Sequence, residues 1–240
     1  DFSSMMTSEQ GPETCNTYNM LRLTKMLYQT SGNADYMDYY ERALYNHILS
    51  TQNPVQGGLV YFTPMRSGHY RVYSQPQNSF WCCVGSGMEN HARYGEMIYA
   101  SHDNELIVNM FIPSVLDWKE EGIKFVQETA FPEKENTKIR IETGKAKKMK
   151  ISFRCPEWVN KEKVYFLING EKAEASLNDD YYTIERKWKN GDTVEMALPM
   201  ELRAVQLPDH SAYYSFMYGP VVLAADLGKE RLDGQFADES

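Results

Sequence analysis

Two short motifs hold most of the reactive side chains in this sequence: Glu13-Thr14-Cys15, and the adjacent pair Cys82-Cys83. Neighbouring thiols are poorly placed to bond each other, yet both can reach one metal ion. Thiolates with one carboxylate make a closed tetrahedral set for zinc, which takes sulfur at roughly 2.3 Å and oxygen at roughly 2.0–2.2 Å. Glu13 and Cys15 fall at the amino end of a predicted helix, where backbone N–H groups and the helix dipole favour anions. The two motifs are far apart, and no Cys-x-x-Cys spacing is present. From spacing alone, separate buried cysteines and a helix-capping glutamate are the simpler reading. The fourth cysteine, Cys155, alternates with Phe153 and Ile151 and reads as a buried strand residue. His47, His69, His91, His102 and His210 show no metal-ligand spacing and read as structural or surface residues. Of these, His91 is the best placed to support the cysteine pair.

The elements that carry the two motifs read as helices. From Pro12, positions Cys15, Tyr18, Leu21, Met26 and Leu27, with Leu23 beside them, approximate one apolar face, and Ser31-Gly32 supplies a stop. Asn33 or Asp35 can cap a second helix, on which Tyr36, Tyr40, Leu44 and Ile48 recur at fourfold spacing. Residues 52–58 form a loop, residues 59–62 a short extended run, and a third helix is expected over 87–98. Trp81 and the tyrosines could stack on sugar rings, although aromatics on helical faces more often fill a core.

Beyond residue 100 the pattern changes. Residues 106–111, 137–142 and 149–155 alternate with a period of two. Asn169-Gly170 follows an apolar run and is a hairpin signal, and Asn190-Gly191 repeats it. The run from Lys145 to Lys150 reads as a solvated strand edge. Composition shifts at the same point: Lys25 is the only lysine in residues 1–100, against fourteen in 101–240, while eleven of seventeen tyrosines lie in the first hundred. The expected class is α+β, with a helical domain over 1–100 and an antiparallel β-sandwich over 101–240.

Composition excludes several functions. Of 240 residues, 25 are basic and 33 acidic, giving a net charge of −8, which argues against a nucleic-acid footprint. No apolar stretch is long enough to span a membrane. The chain opens Asp1-Phe2-Ser3-Ser4 without a signal-like segment, so a targeting signal is expected upstream.

Further motifs stand in order along the chain: Glu41-Arg42-Ala43-Leu44-Tyr45-Asn46, Phe80-Trp81-Cys82-Cys83, Arg154-Cys155-Pro156-Glu157-Trp158, Ile168-Asn169-Gly170, Trp188-Lys189-Asn190-Gly191-Asp192 and Gly219-Pro220-Val221-Val222-Leu223. With Glu13-Thr14-Cys15, they resemble the β-L-arabinofuranosidases of glycoside hydrolase families 127 and 146, over residues 8 to about 226, with family 146 slightly the closer. The resemblance implies that residues 1–100 are the C-terminal part of a catalytic (α/α)6 barrel, followed by its β-sandwich. It implies Zn2+ held by Glu13, Cys15, Cys82 and Cys83, with Cys82 as the nucleophile. It also implies sugar contacts from Glu41, Tyr61 and Glu13.

The implied chemistry is coherent. Zinc holds a thiol as thiolate at neutral pH, and attack at the anomeric carbon followed by water gives net retention. In the family the general acid/base is a glutamate upstream of the Glu-x-Cys motif. The local context of Glu9 does not match it, so the isolated stretch is expected to be inactive. The implied substrate is a plant-type glycan bearing β-linked L-arabinofuranose or a related sugar, and an exported or periplasmic location is suspected. Unpartnered barrel helices would favour self-association, or disorder near residues 1–12 and 52–78. The competing function is a non-catalytic carbohydrate-binding or structural sandwich with a structural zinc.

Overall fold

Asn33 starts the second long helix as its spacing suggests: its side-chain oxygen accepts the Asp35 backbone N–H at 3.0 Å, satisfying a donor that a helix start otherwise leaves unpaired. The computed structural model describes residues 2–228, 230, 233, 234, 236 and 237. Its helices are α1 (Ser3–Thr7), α2 (Thr14–Ser31), α3 (Asp35–Asn46) and α4 (Cys82–His91). Two compact units are present. One comprises Asp1–Ser31, Tyr39–Tyr94 and Leu202–Ser240, and the other Gly32–Asp38 and Gly95–Glu201. The fold is α+β. Among the described residues no helix is long and apolar enough to cross a membrane.

In the first unit α2 buries Thr14, Tyr18, Leu21, Thr24 and Tyr28 and packs against α4. This corrects the expected face. Leu23, Met26 and Leu27 are exposed, because the buried stripe steps from Thr14 by four, three, three and four residues and includes two threonines that an apolar count passes over. Tyr40, Leu44 and Ile48 are buried as the fourfold spacing requires. The helix expected over 87–98 instead starts at Cys82 and ends at His91, followed by a 3-10 turn over Tyr94–Met97.

Residues 202–240 fall in this unit, whereas the sequence reading grouped them with the sandwich. Strand β1 (Tyr70–Arg71) pairs in parallel with the last strand, Phe236–Ala237. A three-stranded sheet spans Leu202–Gln206, Tyr214–Tyr218 and Val221–Val222. Asn46 is the tie to α3: its amide donates to the Pro220 carbonyl at 2.8 Å and its oxygen accepts the Val222 N–H at 2.8 Å.

The second unit is a sandwich. Its strands in chain order are β2 (Tyr99–His102), β3 (Glu105–Val108), β4 (Ser114–Trp118), β5 (Ile123–Thr129), β6 (Asn136–Thr143), β7 (Lys147–Arg154), β8 (Tyr165–Ile168), β9 (Glu171–Ala173), β10 (Ser176–Asn178), β11 (Tyr181–Trp188) and β12 (Thr193–Ala197). One sheet runs β10-β11-β7-β3-β2 and the other β4-β5-β6-β12-β8-β9. All pairings are antiparallel except β3 with β7. The two sheets meet through Phe166, whose ring centroid lies 5.6 Å from that of Phe153 and 5.4 Å from that of Tyr182. Cys155, just past β7, is buried as expected.

One strand expectation needs correction. Asn169-Gly170 does turn a hairpin, with Ile168 opposite Glu171 and both residues at positive φ, 53° and 85°, as a type I′ turn requires. At Asn190-Gly191 only Gly191 is at positive φ, and the chain leaves β11 in one sheet and enters β12 in the other. Along the Lys145–Lys150 run β7 pairs with β11 from Lys147, whereas β3 joins on the other side only at Lys150, and Lys145, Lys148 and Lys150 are exposed. Its lysines face carboxylates: Lys148 meets Glu185 at 3.0 Å, and Lys150 stands opposite Glu105 and Glu185.

Candidate functional site

Glu13-Thr14-Cys15 is anchored by a short antiparallel pairing with residues 60–63. The Thr14 N–H donates to the Tyr61 carbonyl at 2.9 Å, and the Thr63 N–H donates to the Pro12 carbonyl at 3.1 Å. Glu13 stands opposite Phe62. The Thr14 hydroxyl donates to the Val60 carbonyl at 2.7 Å. Gly11 permits the approach: its φ is +72°, and a Cβ there would stand 2.1 Å from the Thr63 carbonyl oxygen, a contact only glycine avoids. Cys15 is thereby placed in the first turn of α2.

The second motif arrives on another helix start. Trp81 is extended, with φ −84° and ψ 168°, and α4 begins at Cys82. A Cβ at Gly87 would come within 2.7 Å of Leu59 Cδ1, so glycine lets α4 lie close to the segment that holds Thr14. The amino ends of α2 and α4 converge, and the sulfur atoms meet there.

Cys15 Sγ lies 3.9 Å from Cys82 Sγ, which lies 3.9 Å from Cys83 Sγ. All three fall within 4.8 Å of one another, a group able to hold a metal ion. The Cys15 thiol donates to Glu13 Oε2 at 3.2 Å, and the Cys15 backbone N–H donates to Cys83 Sγ at 3.3 Å. Cys83 is buried, Cys15 half-buried and Cys82 exposed.

Burial pushes the Cys15 thiol up, and its hydrogen bond to the Glu13 carboxylate adds to that. Burial also pushes Cys83 up, against the lowering effect of the Cys15 N–H. Left to themselves, both groups are thiols at neutral pH. Each helix start favours an anion by about 0.3–1 kcal/mol, too little to hold several sulfur anions this close together. A cation reverses the balance, and three sulfurs beside one carboxylate are the donor chemistry that suits a soft divalent ion such as zinc.

Residues 2–96 match the family model for the β-L-arabinofuranosidase GH127 catalytic domain, and residues 105–200 match the GH127 middle domain. The chain belongs to glycoside hydrolase family 127. Residues 203–240 match a domain of unknown function. No curated relative matches the chain. Among solved structures, a family 127 β-L-arabinofuranosidase from Geobacillus stearothermophilus T6 is similar at a TM-score of 0.74 and 23% identity, over 90% of this chain and 37% of that one. A glycoside hydrolase is similar at 0.75 and 23%, over 89% and 39%. A family 127 β-arabinofuranosidase is similar at 0.73 and 25%, over 90% and 38%. This family 127 chain thus spans under two fifths of the length of each.

The remaining candidates are placed as follows. The Tyr61 ring stands 6.2 Å from that of Trp81 in an edge-on arrangement, beside the start of α4. Glu41 is 1% exposed within α3. His91 hydrogen-bonds the Tyr94 hydroxyl. Glu9 pairs with Arg66 at 3.5 Å on the surface. Sequence reasoning passed over Thr14, which joins the two strands of chain that position Cys15. Its only signal was a small polar residue flanked by two candidate ligands.

Proposed function

We propose that this chain supplies the nucleophile and the metal ligands of a retaining family 127 glycosidase acting on β-linked L-arabinofuranose or a related sugar. The supporting observation is the position of Cys82: its sulfur belongs to the three-cysteine group yet is the exposed member. Glu13, Cys15, Cys82 and Cys83 would hold Zn2+. When bound, zinc would keep these sulfurs deprotonated at neutral pH. We assign residues 1–100 to the end of a catalytic barrel. Met20, Leu23, Met26 and Leu27, exposed on α2, are the face offered to further barrel helices or, alternatively, to a second copy.

The chemistry is assigned to the chain's own groups. The Cys82 thiolate attacks the anomeric carbon, a C–S bond forms as the C–O bond to the leaving group breaks, and the leaving oxygen takes a proton from a general acid. Water then displaces the Cys82 sulfur, and two inversions give net retention. Tyr61, Glu41 and Glu13 bind and orient the sugar. None of these residues is the general acid, so the isolated stretch is assigned no turnover. A plant glycan carrying terminal L-arabinofuranose is the proposed substrate.

A structural zinc in a non-catalytic carbohydrate-binding module is the second reading, favoured by the closed set of four donors. Full-length enzyme separates the two. Under the catalytic reading Cys82→Ser abolishes release of L-arabinose from a β-L-arabinofuranoside, while Cys83→Ser chiefly weakens zinc binding. Normal hydrolysis by Cys82→Ser would sink the mechanism.

A further inference from the structure

We propose that Cys15 and Cys82 are a modification site: a low-molecular-weight disulfide oxidises them to a reversible cross-link, and cross-linking and metal binding exclude each other. The second clause rests on the metal reading above; the first stands on sulfur geometry alone.

Cys82 has two sulfur neighbours at the same distance, Cys15 and Cys83, each at 3.9 Å. Backbone geometry decides between them. Adjacent Cα atoms are fixed about 3.8 Å apart across a trans peptide, whereas a disulfide spans about 4.4–6.8 Å between Cα atoms. Cys82 and Cys83 are also the first two residues of α4, so linking them would unwind its first turn. Cys15 lies on a different helix, so no peptide bond fixes its spacing from Cys82, and its sulfur has to close from 3.9 Å to the bond length of about 2.05 Å. Access gives the same order of events. Cys82 is exposed and Cys15 half-buried, while Cys83 and Cys155 are buried.

The reaction balances without any further reagent. The Cys82 thiolate attacks one sulfur of the external disulfide, forming a mixed disulfide and releasing one external thiolate. Cys15 then gives up its proton to solvent as its sulfur attacks the Cys82 sulfur, forming the internal bond and releasing the second external thiolate, which takes up a proton. The two cysteines lose two electrons and two protons, and the external disulfide becomes two thiols. Cross-linked, neither sulfur remains an anionic ligand, and Cys83 and Glu13 alone are a poor zinc set.

The test uses oxidised glutathione on the folded chain, with free thiols counted and the link located by peptide mass mapping. The expected result is a fall from four free thiols to two, a Cys15–Cys82 linked peptide, and full recovery on reduction. Cys83→Ser should still cross-link, and Cys15→Ser should stop at a glutathione adduct on Cys82. A persistent adduct on wild-type Cys82, a Cys82–Cys83 link, or no reaction would each overturn the site. Zinc affinity should fall about a hundredfold or more on oxidation, since two ligands are lost where one supporting contact is already worth 10–100-fold. Equal zinc affinity in both states overturns the exclusion. If the reduced chain takes up no zinc, the metal reading fails while the thiol count still decides the cross-link.

Discussion

The Thr14 hydroxyl donates to the Val60 carbonyl at 2.7 Å, in a place where Thr14 is 1% exposed. This bond ties the first turn of α2 to the chain segment that carries Tyr61, and so sets where the Cys15 sulfur sits. Thr14→Val keeps the shape but leaves a buried carbonyl short of a donor, a loss of about 1–3 kcal/mol. Urea unfolding should show that destabilisation, and zinc affinity should fall with it. Thr14→Ser, which retains the hydroxyl, should keep most of the affinity. Unchanged zinc binding in the valine variant would remove Thr14 from the positioning role.

Metal uptake should release protons. Burial pushes the Cys15 and Cys83 thiols up, so they are protonated at neutral pH and a cation must displace those protons. Zinc affinity is therefore expected to rise between pH 6 and pH 8. Calorimetric titration in buffers of different ionisation enthalpy measures the protons released. Binding without proton release would place the metal elsewhere.

His47 gives a second pH dependence. Burial lowers it to about 4, with the Arg71 guanidinium adding to the effect, while its Nδ1 sits 2.9 Å from the Thr17 hydroxyl. The unfolded chain takes a proton at the ordinary histidine value of about 6.5, and the folded chain does not. Stability from this residue is therefore full above pH 6.5 and is lost as pH falls toward 4, by up to about 3 kcal/mol. Thermal unfolding should show a steeper fall over that window in the wild type than in His47→Gln. Equal slopes would refute the assignment.

Arg154 is fully buried in β7 and pairs with Asp38, which is itself mostly buried. Its Nε also donates to the Asn109 carbonyl at 2.9 Å. Asp38→Ala leaves a buried cation without its carboxylate and should destabilise by about 3–5 kcal/mol. Breaking the exposed Lys148–Glu185 pair should change stability by less than about 1 kcal/mol. Similar losses from both variants would show that burial does not set the strength of these pairs.

Local chemistry was legible in the sequence wherever the chain's own neighbours decide conformation. The Asn33 cap, the fourfold spacing of Tyr40, Leu44 and Ile48, the period-two strands and the Asn169-Gly170 hairpin all depend on residues within a few positions of one another. The second Asn-Gly shows the limit. Asn190-Gly191 has the same composition as Asn169-Gly170, but its flanking strands pair in different sheets, and partner choice is a long-range property. Met26 and Leu27 show it too, since apolar character does not tell which side of a helix finds a neighbour.

By itself the sequence determined the α+β class, the change of character near residue 100, and the short list of groups able to bind a soft metal. It did not bring those groups together. Glu13-Thr14-Cys15 and Cys82-Cys83 read as separate motifs because nothing local joins them. Tertiary structure decided that they meet, through the Thr14 anchor, the close approach at Gly11 and the packing of α4 over Leu59 at Gly87. The reason is physical: a metal-binding group requires sulfurs a few ångströms apart, and only the packing of two helix starts against a common segment sets that distance.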